Sequence, residues 1–142
     1  MPVKEQLSNP AIWFDLVIQG KSIGYFTSVK GLTAEVETVS YNEGGNNEFV
    51  RRLPTRVKWP NLVLKRGMTD SKELQQWFHK SHQGPELTSV TLTMLNESGD
   101  RIRTWSFKNA FPVKWAGPDF DAAQNAVATE TIEIAHEGME PV

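Results

Sequence analysis

Short segments rich in β-branched and aromatic residues recur along the whole chain, and turn residues separate them. In the clearest segment, residues 89–95, the apolar residues Val90, Leu92 and Met94 alternate with threonines. Strict alternation is typical of a strand with one face on a core, so we expect the apolar residues inward and the threonines outward. About ten such segments with regular turn signals predict a mainly β fold, either a β-barrel or two packed sheets.

One segment, from about residue 70 to 82, has helical periodicity instead. Its apolar residues stand at i, i+3 and i+4 and form one stripe: Leu74, Trp77 and Phe78. Asp70 precedes the stripe and Glu73 follows three residues later, as in a capping box. The pattern predicts one flanking helix of about three turns, which is too short to form without packing on a sheet.

The segment after the loop at 96–100 has an irregular apolar pattern. Ile102 is out of step with Trp105. A β-bulge near Arg103–Thr104 explains this slip, because a bulge adds one residue to one strand. Residues 110–115 then predict a separate extension of the sheet.

Length and composition limit the classes of protein. A chain of 142 residues fits a single domain, residues 1–142. It has no cysteine, which excludes disulfides, thiol catalysis and cysteine-bound zinc. A net charge of -2 argues against general nucleic-acid binding. Because there is neither a secretory signal pattern nor a run of roughly 20 apolar residues, we expect cytoplasmic synthesis and no membrane span.

Catalytic and metal-binding patterns are absent from the sequence. It contains no nucleophile motif, Walker loop or dinucleotide fingerprint. His79 and His82 stand three residues apart, but no third ligand accompanies them. We therefore expect no enzyme activity, no metal and no cofactor.

Charge is segregated along the chain. Between Phe49 and Thr69 every charged residue is basic: Arg51, Arg52, Arg56, Lys58, Lys65 and Arg66. After Lys114 every charged residue is acidic. A polar loop at 42–47 precedes the basic run, and its adjacent glycines accept positive φ without steric cost. This middle section indicates a surface that meets a partner.

Two predicted strands have unusual faces. In residues 33–41, Glu35 and Glu37 share one face, and neither face is fully apolar. In residues 126–136, Glu130 is in phase with the apolar Ile132. Either that second face is wet, or Glu130 meets a basic partner.

Three stretches of the chain resemble the inner tube protein of contractile phage tails and of related extracellular contractile injection systems. They are YNEGGNN (41–47), RRLPTRVKWPNLVLKRGMTDSKELQQWF (51–78) and WSFKNAFPVKWAGPDFDAAQNAVATETIEIAHEGM (105–139). The resemblance runs from about Trp13 to Met139. Thr55 departs from it, because the family pattern often has glycine after the Leu-Pro pair.

The resemblance implies a structural role without covalent chemistry. Six subunits form a ring, and rings stack helically into a hollow tube that a contractile sheath drives through a target envelope. The implied partners are further copies of the chain, the sheath protein, baseplate and spike components, and cargo in the lumen. Specific nucleic-acid recognition is not implied. The tube is assembled in the cytoplasm and belongs to a phage tail-like particle that is released or acts outside the cell.

Three sets of candidate residues follow from the resemblance. The ring and stacking interface comprises Asn42, Glu43, Gly44, Gly45, Asn46, Asn47, Arg51, Arg52, Lys65, Arg66 and Glu137. The lumen-facing candidates are Glu35, Glu37, Thr129, Thr131 and Glu133. The sheath-facing candidates are Glu73, Gln76 and Lys80.

Two alternatives remain open at this stage. The chain could be a baseplate-proximal protein that initiates a tube instead of extending it. A monomeric β-barrel that binds a small ligand is the other alternative, and it requires an enclosed apolar cavity.

Overall fold

A computed structural model describes residues 12–41, 50–84, 87–118 and 128–142 of the protein. These ranges contain ten strands and one helix. The elements are β1 (Trp13–Ile18), β2 (Lys21–Phe26), β3 (Ser28–Lys30), β4 (Glu35–Tyr41), β5 (Arg51–Lys58), β6 (Leu62–Gly67), α1 (Glu73–Gln83), β7 (Thr88–Leu95), β8 (Arg101–Ala116), β9 (Thr129–Ala135) and β10 (Met139–Pro141).

Eight of the strands form one sheet, and the other two form a second sheet. The order in the large sheet is β2-β1-β7-β8-β9-β6-β3, with β10 also paired to β8. Strands β4 and β5 form a separate antiparallel pair, which we call the arm. The predicted class, mainly β with two sheets and one helix, is confirmed. Among the described strands the hydrogen-bonded path does not close into a barrel.

The two ends of the large sheet meet at Thr27. Strands β2 and β3 lie at opposite ends of the strand order, yet only this residue separates them in the chain. The Thr27 N–H donates to the Lys65 carbonyl of β6 at 3.0 Å. The chain therefore changes its partner strand from β1 to β6 within one residue, and the sheet coils until its ends lie side by side. We call this junction of β2 and β3 beside β6 the seam.

The core lies on the enclosed side of the coiled sheet. Its buried members are Leu16, Ile18, Phe26, Leu62, Leu64, Leu74, Val90, Leu92, Phe107, Ala110, Ile132 and Ile134. Val90 and Leu92 are buried as their alternation predicts, and Met94 is half-buried. The prediction that Thr93 faces outward to solvent is wrong, because it is 6% exposed. Its hydroxyl oxygen accepts a hydrogen bond from the Thr104 hydroxyl at 3.3 Å, which satisfies it away from water.

The helix α1 packs on the sheet through the predicted stripe. Leu74 is fully buried, and Trp77 and Phe78 are half-buried. The helix has 11 residues, so it has the predicted three turns. Its single stripe is the reason that a helix this short is stable here.

The predicted start of α1 at Asp70 is wrong. The helix begins at Glu73, and its N-cap residue, Lys72, makes no side-chain capping bond. A turn precedes it, in which the Ser71 hydroxyl accepts the Glu73 N–H at 3.4 Å. Because the N-cap is Lys72 and not Asp70, Glu73 is the first helical residue and not the third, and the capping box with Asp70 does not form.

Strand β8 is a single strand of 16 residues, although the sequence predicts two strands with a break. Its first part, up to Ala110, pairs with β7, and its second part, from Phe111, pairs with β9. Asn109, at φ 49°, lies in the irregular last stretch of the pairing with β7. The predicted bulge is confirmed one residue earlier than expected. Met94 pairs with Arg103 and Leu95 pairs with Arg101, which leaves Ile102 as the extra residue.

Candidate assembly surfaces

The arm exposes almost all of its side chains. All eight residues of β5 are exposed, and in β4 only Glu37 is partly covered. Five large apolar residues of the arm are among the exposed ones: Val36, Val39, Tyr41, Leu53 and Val57. A two-stranded hairpin without a buried face is marginally stable on its own. The exposed apolar side chains of the arm therefore form a candidate interface.

Charged side chains join β4 to β5 near the start of β4 and the end of β5. The Glu37 carboxylate accepts a hydrogen bond from Arg56 Nε at 2.8 Å and lies 3.1 Å from Lys58 Nζ. The hydrogen bonds from Arg56 and then Lys58 lower the pKa of Glu37 below its usual value. The Thr55 hydroxyl also donates to the Glu37 carbonyl at 2.9 Å. Glu37 therefore stays ionised and fixes the local geometry of β4 against β5.

The arm brings together residues from two of the predicted sets. Arg51 pairs with Tyr41 and Arg52 pairs with Ser40, at the end of the arm away from the body. Glu35, a lumen candidate, pairs with Lys58 at the other end. The remaining members of the predicted stacking loop lie outside the described residues: Asn42, Glu43, Gly44, Gly45, Asn46 and Asn47.

The other lumen candidates lie on the large sheet instead of the arm. Thr129, Thr131 and Glu133 are half-buried and occupy the face of β9 opposite the core. The Glu133 carboxylate accepts a hydrogen bond from Asn61 Nδ2 at 3.0 Å. Lys65, a stacking candidate, is exposed and pairs with Thr131. The predicted lumen set is thus divided between two sheets.

Two further stacking candidates differ in their exposure. Glu137 is exposed, and Asn109 Nδ2 donates to its carboxylate at 2.6 Å. Arg66 is 5% exposed and binds internal groups. Its position inside the fold does not suit a contact with another ring, so we omit Arg66 from the proposed interface.

The sheath-facing candidates line a groove beside the helix. The groove has a volume of about 410 Å³ and lies between α1 and the β1–β2 hairpin. Glu73, Gln76 and Lys80 line it from the helix, and Ile23 lines it from β2. Lys21 Nζ lies 3.7 Å from the Glu73 carboxylate. The sequence pattern of the helix identified one wall of this groove, but it could not show the facing hairpin.

A buried polar cluster joins three strands of the large sheet. Arg66 on β6 pairs with Glu130 on β9, and Arg66 Nε donates to the carboxylate at 3.0 Å. Trp115 on β8 donates its indole N–H to the other carboxylate oxygen at 2.9 Å. Of the two explanations for Glu130, the basic partner is correct. The phase of Glu130 was the sequence signal for the cluster. Arg66 carries the same signal, because it is in phase with the apolar Leu62 and Leu64, but we grouped it with the exposed basic residues.

His136 is a second buried polar group, between β9 and β10. Its ring packs edge-on against Phe107, with centroids 4.9 Å apart, and also contacts the Trp59 ring. The Gly138 N–H donates to its Nδ1 at 3.2 Å. Burial lowers the pKa of His136 below the ordinary value of about 6.5, although the backbone of Gly138 and Pro60 favours the protonated ring.

We expect acid to destabilise the subunit through His136. The unfolded chain binds a proton at a higher pH than the folded one, so this contribution is complete above about pH 6.5 and is lost as the pH falls toward the lower folded pKa. In His136→Gln, the free energy of unfolding should decline less over this window than in wild type. Urea unfolding at a series of pH values measures both slopes. His79→Gln, at an exposed helix position, is the control, and equal slopes in wild type and His136→Gln would contradict the prediction.

Within the described ranges, no group of three or more His, Asp or Glu side chains is arranged to hold a metal ion. The single helix of these ranges lacks the length and apolar character needed to cross a bilayer.

Comparisons with known proteins agree with this architecture. A sequence model of the T4-like virus tail tube protein gp19 family matches residues 10–140. No curated protein sequence is significantly similar to the chain. Among solved structures, a chain of the anti-feeding prophage baseplate is 26% identical with a TM-score of 0.77, and the match covers 92% of this chain and 91% of that one. A chain of the sheath-tube complex of the extracellular contractile injection system PVC is 28% identical with a TM-score of 0.76, and the match covers 91% and 88%.

A more distant structure shares the fold alone. Hcp1 from Flavobacterium johnsoniae is 17% identical with a TM-score of 0.55, over 91% of this chain and 94% of that one. The family match, in contrast, extends over nearly the whole sequence. The resemblance inferred from the three stretches of sequence is therefore confirmed. This chain belongs to the T4-like virus tail tube protein gp19 family and is a structural tube protein.

Proposed function

We propose that this protein is the repeating subunit of the inner tube of a contractile injection apparatus, in which hexameric rings stack into a hollow tube. The observation that carries the proposal is the arm, whose two strands expose apolar side chains and leave their outer edges unpaired with other described strands. An exposed strand edge is a template for pairing with another chain. The six-fold symmetry of the similar baseplate structure supports the ring size.

Ring formation would use the arm edges. Strand addition satisfies backbone groups that water otherwise solvates, and it lets alternate side chains enter pockets on the neighbour. Val39 and Leu53, which pair with each other on the arm, would then be covered by the adjacent subunit. When the arm packs on a neighbouring subunit, its apolar side chains would gain the buried contacts that they lack in the free subunit.

Stacking would use charge. Arg51, Arg52 and Lys65 would supply the basic side, and Glu137 would supply an acidic partner. The polar loop at 42–47 would belong to the same contact. A contact between unlike surfaces that does not close on itself produces a filament. The lumen wall would comprise the arm with Glu35 and Glu37, the outer face of β9 with Thr129, Thr131 and Glu133, or both surfaces.

The groove beside α1 is the proposed contact for the sheath. Its apolar floor includes Ile18 and Trp77, and its rim carries both signs of charge on Lys21 and Glu73. An apolar floor with a polar rim suits an amphipathic segment of a partner. The similar chain in a sheath-tube complex supports a sheath as that partner.

An inner-tube subunit of this kind would be made in one place and act in another. Subunits would be made and assembled in the cytoplasm, and the finished particle would act outside the cell, as the name of the similar injection system states for that protein. Baseplate and spike components would be further partners, and the lumen would hold cargo. We assign no catalytic role and no cofactor, because the family is structural.

A second candidate function is initiation of the tube at the baseplate. The match to a chain of a baseplate structure favours it, at nearly the same similarity as the match to the sheath-tube complex. A monomeric ligand-binding barrel is less well supported. Among the described residues, twelve buried apolar side chains occupy the enclosed side of the sheet, where such a ligand would bind.

Negative-stain electron microscopy of the purified protein over a range of concentrations tests the proposal. We expect six-fold rings or hollow tubes whose length increases with concentration. Rings that never elongate, even when baseplate components are added, would favour the initiator. Monomers that assemble under neither condition would contradict both tube functions.

A further inference from the structure

The guanidinium of Arg66 reaches beyond its carboxylate partner to the far end of the sheet. Its Nε bonds to Glu130 on β9, and its Nη1 donates to the Ile23 carbonyl of β2 at 3.3 Å. The same guanidinium lies over the Phe26 ring of β2, 4.8 Å from the centroid. Both contacts with β2 cross the seam, where β2 and β6 are not neighbours in the hydrogen-bonded strand order.

The backbone of β2 is shaped to admit this side chain. Gly24 lies next to Ile23 and has φ +135°, a conformation that L residues rarely adopt. A Cβ at Gly24 would lie 2.5 Å from Arg66 Nη1, which is closer than van der Waals contact allows. Glycine at this position therefore leaves the space that the guanidinium occupies.

We propose that Arg66 is a clasp that holds β2 against β6 at the seam, where the two strands are not paired and the Thr27–Lys65 backbone bond lies just beyond the end of β2. Its planar fork of donors can bind a carboxylate on one side and a carbonyl on the other, which a lysine ammonium cannot do in the same geometry. The clasp also positions the β1–β2 hairpin, which forms one wall of the groove beside α1. This inference concerns the fold and stands whether or not a sheath occupies the groove.

A simpler role for Arg66 makes a different prediction. If Arg66 serves only to neutralise Glu130, any cation in its place should leave the protection of β2 against amide hydrogen exchange as it is in wild type. If Arg66 is a clasp, loss of the contacts with β2 should let that strand open locally while the rest of the sheet stays closed. The two roles thus differ in which strands lose protection against amide hydrogen exchange. A measurement of overall stability cannot show this difference.

Amide hydrogen exchange of Arg66→Lys tests the proposal, because lysine keeps the charge beside Glu130 and the subunit should still fold. We expect the amides of β2 to exchange faster than in wild type, by roughly tenfold or more relative to those of β7, since a hydrogen bond from a charged donor is lost. Acceleration of β2 and β7 by the same factor, or no acceleration, would overturn the clasp.

Gly24→Ala provides a second and independent test. We expect it to accelerate exchange in β2 of the wild type, and to add much less in the Arg66→Lys background, because the clash with the guanidinium is then gone. Gly20→Ala is the control, since Gly20 also has a positive φ, +79°, but no atom within 4 Å of an added Cβ. Additive effects of Gly24→Ala and Arg66→Lys would show that backbone strain alone is responsible, and would overturn the role assigned to Gly24.

Discussion

Phe107→Ala will lower the free energy of unfolding by about 3–5 kcal/mol. Phe107 is 1% exposed in the core, and its ring packs against that of His136. Truncation loses the transfer free energy of the removed ring and leaves a cavity, because the surrounding structure relaxes only in part. Urea denaturation followed by circular dichroism measures the loss.

Phe111→Ala is the matched control for this prediction. Phe111 lies on the same strand, but it is 39% exposed. The same chemical change should therefore cost far less, because part of the ring already contacts water. Equal losses for the two variants would contradict the assignment of Phe107 to the core.

Val39→Asp will abolish assembly while the subunit remains folded. Val39 is 52% exposed on the arm, so the substitution should change the stability of the free subunit by about 0.5 kcal/mol or less. In an assembled ring the same position would be covered, and a carboxylate there would be buried without a partner. In sedimentation velocity and negative-stain microscopy, we expect monomers for the variant and rings or tubes for the wild type.

Ile102→Asp is the control for the arm. Ile102 is 51% exposed, but it lies on β8 of the large sheet. Assembly should survive this change if the arm is the principal contact between subunits. Unchanged assembly of Val39→Asp, with the variant folded, would refute the proposed role of the arm.

Apolar residues that recur with the period of a strand or a helix correctly predicted the elements that bury one face. The alternation in β7 identified Val90 and Leu92 as core residues, and the helical stripe placed Leu74 against the sheet. The sequence predicted a break before residues 110–115, whereas β8 continues through them, including Pro112. A proline is tolerated at this point because the pairing with β9 is irregular between Pro112 and Lys114, so a missing N–H removes no regular ladder bond.

Pairing across long distances in the chain could not be predicted. Glu130 was conspicuous on an apolar face, but its partner lies 64 residues away. Arg66 stands in a basic run whose other members are exposed. It is in phase with the buried Leu62 and Leu64, but only the register of β6 against β9 places it opposite Glu130. A one-residue change of register would turn the same side chain to the opposite face. The role of such a charge is therefore set by tertiary pairing, which local composition does not encode.

The two outer edges of the arm belong to different strands, one to β4 and the other to β5, so they are unlike one another. Two like edges that join would form a dimer and stop. Unlike edges that join leave one of each kind open at the ends of a growing arc, so addition has a fixed direction and ends when the last edge meets the first. In the proposed ring, the angle between neighbours, and not the supply of protein, would then set the number of subunits.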